Sequence, residues 1–271
     1  MKFKINIKYL QLLFVLIIFL NSSCSNNEKQ TVTKLNQIVL QDEFDVTGAP
    51  NTELWGNNIG TGKSGWGNSE LQYYTDRPQN IKVEDGFLKI TAIKESYMGS
   101  AYTSARILTK GKFEQKYGRY EARIKVPYGK GLWPAFWLLG ANSDTAIWPQ
   151  CGEVDIMEYL GNNPTSVFGT LHGPGYSGSN AVTKAFELKN NRFDNDFHVF
   201  GIEWGENYVN FYVDDVLYNQ ITPKDAKGEW VFNQPFYIIL NMAVGGNYPG
   251  NPNSETVFPQ TMVVDYVRVY K

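Results

Sequence analysis

Along most of this chain, apolar and polar residues alternate with a period of two, in short runs separated by Gly, Asn, Asp and Pro. Residues 86–92, 118–126, 197–204, 207–213 and 262–270 all follow this pattern. Such alternation sends successive side chains to opposite faces of a strand, one face to a core and the other toward solvent. No long stretch carries a helical period, and no internal repeat is visible. The pattern predicts an all-β sandwich of two antiparallel sheets. Asp214-Asp215, between two apolar runs, reads as a tight hairpin turn. The last strand begins near Met262 and needs an early partner, for which Leu40 to Phe44 is the natural candidate.

The first residues depart from the alternation. Lys2, Lys4 and Lys8 precede an apolar run from Leu10 to Leu20, and small polar residues follow at once. The run is too short to span a bilayer comfortably and reads as an export signal over residues 1–23. The segment Leu20-Asn-Ser-Ser-Cys24 looks like a bacterial lipoprotein cleavage region, with Cys24 becoming the lipidated N-terminus. The expectation is an exported lipoprotein at the outer membrane or cell surface, touching the membrane only through its lipid anchor. Residues 24–36 hold almost no apolar content and read as a flexible tether, leaving 37–271 as one domain of sandwich size.

Composition narrows the partners. Lys plus Arg number 25 against 27 Asp plus Glu, and no basic run occurs, which argues against nucleic acid and anionic membrane surfaces. Aromatic residues make up 15% of the chain, an excess suited to a cleft where sugar rings stack on aromatic planes. With Cys24 lipidated, Cys151 has no partner for a disulfide and reads as a small buried hydrophobe. A monomer is expected.

The chemistry concentrates in Gly152-Glu-Val-Asp-Ile-Met-Glu-Tyr159. In a regular strand Glu153 and Asp155 share a face, while Glu158, five residues on, falls on the other. A β-bulge at Ile156-Met157 would return Glu158 to the face of Glu153 and Asp155. Two glutamates about four strand steps apart, roughly 13 Å between α-carbons, can lean to the roughly 5 Å carboxyl separation of double-displacement glycoside chemistry. Crowded carboxylates raise one another's pKa, so one of the three should keep a proton near neutral pH and act as general acid. An acidic strand can equally be a solvated face or a calcium site.

Glu-Val-Asp-Ile-Met-Glu resembles the active-site signature of glycoside hydrolase family 16 in its bulged form. The flanks resemble the bacterial laminarinase (endo-β-1,3-glucanase) branch: Trp66-Gly-Asn-Ser-Glu-Leu-Gln-Tyr-Tyr-Thr75, Tyr102-Thr-Ser-Ala-Arg-Ile107, Gly131-Leu-Trp-Pro-Ala-Phe-Trp-Leu-Leu-Gly140, Gly169-Thr-Leu-His-Gly-Pro-Gly-Tyr176 and Leu240-Asn-Met-Ala-Val-Gly-Gly246. The resemblance implies a β-jelly roll with a concave substrate cleft and a retaining endo-hydrolase of β-1,3-glucan, able to transglycosylate and needing no catalytic cofactor. Glu153 would be the nucleophile, Glu158 the acid/base and Asp155 the group that tunes both. Trp133 and Trp137, of equal parity, and Trp148, in a loop before Pro149, would wall the sugar subsites. His172 would contact the sugar or the acid/base. Asn68, Glu70, Arg106 and Asn241 would line the cleft and hydrogen-bond sugar hydroxyls. His198 reads as structural, and zinc has no second ligand at a suitable spacing. Family members often hold a structural calcium on the convex side, and Glu43, Gly86 and Asp265 match that set, with Asp42 nearby. Mixed-linkage β-glucan, a marine galactan and a non-catalytic glycan-binding lipoprotein are the alternatives.

Overall fold

The computed structural model describes residues 35–271, so the export signal at 1–23, Cys24 and nearly all of the tether lie outside the described residues. The chain first lays down β1 (Ile38–Asp42), β2 (Gly56–Asn57), β3 (Gln72–Tyr74), β4 (Ile81–Glu84), β5 (Phe87–Tyr97) and β6 (Ser100–Ser104). It continues with β7 (Arg106–Leu108), β8 (Gly118–Lys125), β9 (Leu132–Gly140), β10 (Glu153–Tyr159), β11 (Ser166–His172) and β12 (Val182–Glu187). The last five are β13 (His198–Gly205), β14 (Tyr208–Val213), β15 (Val216–Ile221), β16 (Phe236–Val244) and β17 (Gln260–Tyr270).

These strands form two sheets. One, of seven strands, runs β12-β11-β10-β9-β16-β7-β2; the other, of ten, runs β15-β14-β13-β8-β17-β5-β6-β3, with β1 paired to β17 and β4 to β5. Their apolar faces meet in one core that includes Leu88, Ile90, Tyr120, Phe136, Val154, Phe200, Trp204, Phe211 and Val267. The result is a β-jelly roll. β1 pairs with β17 as the sequence requires, Asp42 standing opposite Val267. Asp214 and Asp215 both adopt positive φ, 49° and 62°, the conformation of a tight hairpin turn whose twist matches its strands. His198 is structural: its Nδ1 lies 2.6 Å from Asp214 Oδ2, holding that turn. One pair departs from the antiparallel expectation. β3 runs parallel to β6, because the chain leaves β3 through the β4–β5 hairpin and returns at the sheet edge in the same direction.

Period-two burial is clear in β5 and β17, but β16 is buried at all nine positions, Phe236 to Val244. One of its faces packs on the core, and the other lies under side chains of the open face of the seven-stranded sheet. β9 and β10 sit at the middle of that sheet, flanked by β16 and β11. Whatever they present on the open face is central to the molecule.

Candidate active site

The irregularity expected in β10 is present. Against β9 the register shifts between Asp155 and Met157, so that Glu153, Asp155 and Glu158 stand opposite Leu139, Trp137 and Ala135. Against β11 the same three stand opposite His172, Thr170 and Phe168. Each partner set advances in steps of two, so all three carboxylates share one face. Gly152 makes the approach: its φ is +74°, and an added β-carbon would lie 2.9 Å from the Phe236 ring. A side chain there would push the strand away just before Glu153.

Each carboxylate has identifiable company. Glu158 Oε1 accepts the Trp133 indole N–H at 3.2 Å, and its Oε2 accepts the Thr170 hydroxyl at 3.3 Å. His172 Nε2 lies 3.1 Å from Asp155 Oδ2 and 3.6 Å from Glu153 Oε1. His172 Nδ1 accepts the Gly178 N–H at 3.1 Å, so a neutral ring carries its proton on Nε2, the nitrogen nearest Asp155 Oδ2, a buried oxygen that makes no hydrogen bond among the described residues. His172 therefore serves the Asp155–Glu153 end of the trio rather than the Glu158 end. Asp155 is 4% exposed and Glu158 8%. Burial, with a contribution from the neighbouring Asp155 charge, pushes Glu153 and Glu158 up to about 8, and burial alone pushes Asp155 up to about 8. Charge on the trio is thus disfavoured, so the three carboxyls share at least one proton at neutral pH, which general-acid chemistry needs while one of them stays a carboxylate.

The tryptophans divide the surrounding surface. Trp133 and Trp137 both face the carboxylates, as their equal parity implied. Trp137 Nε1 donates to Asn241 Oδ1 at 2.7 Å, and Asn241 Nδ2 donates to the Tyr74 hydroxyl at 3.1 Å. The Tyr74 hydroxyl donates to Glu70 Oε2 at 3.3 Å, and Gln72 Nε2 donates to the same oxygen at 2.6 Å. Burial raises the Glu70 carboxyl. Asn241 and Glu70 are thus joined to the protein on one side while each keeps hydrogen-bonding capacity for a sugar hydroxyl: a second Nδ2 hydrogen on Asn241 and Oε1 on Glu70. The chain Trp137–Asn241–Tyr74–Glu70–Gln72 fixes the direction of the Trp137 indole N–H. Arg106 lies between two indoles, its guanidinium carbon 4.6 Å from the Trp66 ring and 4.7 Å from the Trp137 ring. The Asn68 side chain is half-buried and makes no hydrogen bond among the described residues, which leaves its amide available. Trp148 is 45% exposed on its loop, with its ring 5.8 Å from that of His172.

Sequence reasoning missed Tyr74, Gln72, Trp66, Thr170 and Tyr248. Thr170 had a usable signal, since it precedes His172 by two and shares its face. Tyr248 had none: it belongs to the irregular segment after β16 and packs edge-on to Trp133, ring centroids 5.3 Å apart.

Cys151 is buried, and burial together with Glu153 pushes its thiol up to about 11, which suits a small hydrophobe rather than a nucleophile. Among the described residues, the group of ligand-type atoms lying within 4.8 Å of one another is that of Glu153, Asp155 and His172. A metal there would need the Nε2 lone pair, whereas the Gly178 contact puts the proton on that nitrogen. The calcium set fits only in part. Asp265 lies where β17 exchanges β5 for β1 as its neighbour, Val264 opposite Leu88 and Val267 opposite Asp42, so Gly86 and Glu43 reach the same junction. The Glu43 carboxylate, however, takes both Arg268 nitrogens at 2.8 Å, and Asp265 Oδ2 takes Arg123 at 2.6 Å. Asp42 is likewise engaged, by the Trp55 indole at 2.8 Å. Glu43 therefore does not offer the side-chain ligand expected of it.

The family model described as Glycosyl hydrolases family 16 matches residues 66–268. A beta-glucanase of Rhodothermus marinus is 40% identical over 268 residues, covering 95% of this chain and 93% of that protein. The laminarinase catalytic domain of Thermotoga maritima superposes with a TM-score of 0.83 at 49% identity, over 87% of this chain and 98% of that one. The endo-beta-1,3-glucanase of Pyrococcus furiosus does so with a TM-score of 0.83 at 46% identity, over 89% and 98%.

Proposed function

The chain belongs to glycosyl hydrolase family 16 and is a glycoside hydrolase; from that premise we propose that it is a retaining endo-hydrolase of β-1,3-glucan of the laminarin type. The observation that carries the reading is the bulge that sets Glu153 and Glu158 on one face, beside an aromatic floor that suits glucose rings. Glu153 attacks the anomeric carbon while Glu158 protonates the departing glycosidic oxygen. Glu158, now a carboxylate, takes a proton from the incoming water, whose oxygen bonds to the anomeric carbon as the bond to Glu153 breaks with its electrons returning to that carboxylate. Two displacements restore the original anomer. Asp155, buried between the two glutamates with His172 Nε2 3.1 Å from its Oδ2, holds Glu153 in line and lets charge redistribute along the trio. No step calls for a group other than these side chains.

Reducing-sugar release from laminarin, lichenan and agarose, measured side by side, tests the substrate class. The expected order is laminarin first, lichenan lower by about tenfold, and agarose at background. Cleavage of agarose ahead of laminarin would overturn the reading.

The calcium reading is retained in altered form. It is supported by the register at the β1–β5–β17 junction and by Asp265 Oδ1, which makes no hydrogen bond among the described residues. Main-chain carbonyls of Glu43 and Gly86 would complete the set, since calcium readily takes such oxygens. At 100 times its dissociation constant an ion adds about 2.7 kcal/mol, so calcium should raise Tm by about 5–10 °C over a chelated sample. Superimposed melting curves would remove it. The lipoprotein reading rests on Lys2, Lys4, Lys8, the Leu10–Leu20 run and Cys24.

A further inference from the structure

The open face has two ends along the direction of β10. At the Glu153 end stand His172 and Trp148. At the Glu158 end stands a corner of three rings. Tyr248 lies edge-on to Trp133, with centroids 5.3 Å apart and planes at 72°, and edge-on to Phe168, at 6.3 Å and 63°. Phe168 is the residue opposite Glu158 on β11, and Trp133 donates its indole N–H to Glu158. The Tyr248 ring therefore bridges from β9 to β11 across the end of β10, immediately beyond the acid/base. It remains 44% exposed, so it is a wall of the cleft rather than part of the core. Burial, with the nearby Glu158 and Asp155 charges, holds its hydroxyl above its usual value.

Resting on the glucanase reading above, we infer that Tyr248, with Trp133 and Phe168, forms the platform for the sugar on the Glu158 side of the scissile bond, and so sets how the glycosyl-enzyme partitions between water and an acceptor sugar. The two fates share one step. Glu158 takes a proton from the attacking hydroxyl, of water or of the acceptor, that oxygen bonds to the anomeric carbon, and the bond to Glu153 breaks toward the carboxylate. Water needs no platform. A pyranose does, and an aromatic edge and face supply stacking and exclude competing solvent.

The test uses laminarin as donor and laminaribiose, fluorescently labelled at its reducing end, as acceptor. The ratio of labelled transfer product to hydrolysis product is read as a function of acceptor concentration. This ratio reports only steps after the glycosyl-enzyme forms, so a general loss of rate does not move it. Tyr248→Ala is expected to lower the ratio by about fivefold to tenfold, whereas Tyr248→Phe keeps it within about twofold. Phe168→Ala, which removes the far ring of the same corner, gives a second reading in the same direction. An unchanged ratio in both alanine variants overturns the inference, because a residue that merely props Trp133 and Glu158 would slow both fates alike. A wild-type protein that cleaves laminarin but transfers nothing to the labelled sugar overturns it as well. Absence of laminarin cleavage altogether is the separate outcome that defeats the glucanase reading itself.

Discussion

Glu153→Gln is expected to lower kcat on laminarin by about 10⁴-fold or more, and Glu158→Gln by a comparable factor, while both variants keep the wild-type fold. The amides are nearly isosteric with the carboxylates, so the Trp133 and Thr170 contacts around position 158 need little rearrangement. The two losses should nonetheless differ in kind. A glucoside whose leaving group departs without protonation bypasses the acid role, so on an activated aryl glucoside Glu158→Gln should recover much of its first-step rate, with azide accelerating the second step. Glu153→Gln should recover nothing from the same aryl group, because the nucleophile itself is missing. If the two variants exchanged these behaviours, the assignment of roles would be reversed.

Asp155→Asn is expected to lower kcat by about 10²–10³-fold and, in the same protein, to make the fold less sensitive to alkali. Burial holds the Asp155 carboxyl at about 8 in the folded chain, against roughly 3.9 when unfolded. Between those values the folded state binds more protons than the unfolded one, so stability falls as pH rises, by at most about 1.4 kcal/mol per pH unit for one group. The favourable contribution is complete below about pH 4 and is lost as pH passes through about 8. Asparagine has no proton to lose over this range and has nearly the same shape. The wild type should therefore lose on the order of 3–4 kcal/mol more than Asp155→Asn between pH 5 and pH 8, seen as about 7–14 °C in Tm. Parallel pH dependence in the two proteins would mean that Asp155 is not held protonated by the fold.

The parity break at Glu158 could be found in six residues. A strand alternates strictly, so a polar side chain on the wrong face is visible as a local offset, and a bulge is the smallest repair. Trp133 and Trp137 were placed by the same rule, and the all-β class followed from period-two runs with turn residues between them. The protein partners of Asn241 and Glu70 could not be found this way. The bonds that engage Asn241 join it to Trp137, 104 residues away, and to Tyr74, 167 residues away, and no local pattern encodes such pairs. The Glu43–Arg268 pair, spanning 225 residues, altered the calcium set for the same reason. β16 shows a different limit: a strand buried on both faces has no alternation to read. Tyr248 lies on an irregular segment, where periodicity carries no information at all.

The central claim is that residue 153 becomes covalently bonded to the sugar while residue 158 handles the proton. A 2-deoxy-2-fluoro laminaribiosyl donor with a good leaving group forms the glycosyl-enzyme quickly and releases it slowly, so the labelled residue can be located by peptide mass analysis. The account predicts one added fluoro-laminaribiosyl group per chain, on the peptide containing Glu153 and on that side chain. A label on Asp155 or Glu158, or direct release of the inverted sugar with no label on any carboxylate, would contradict it.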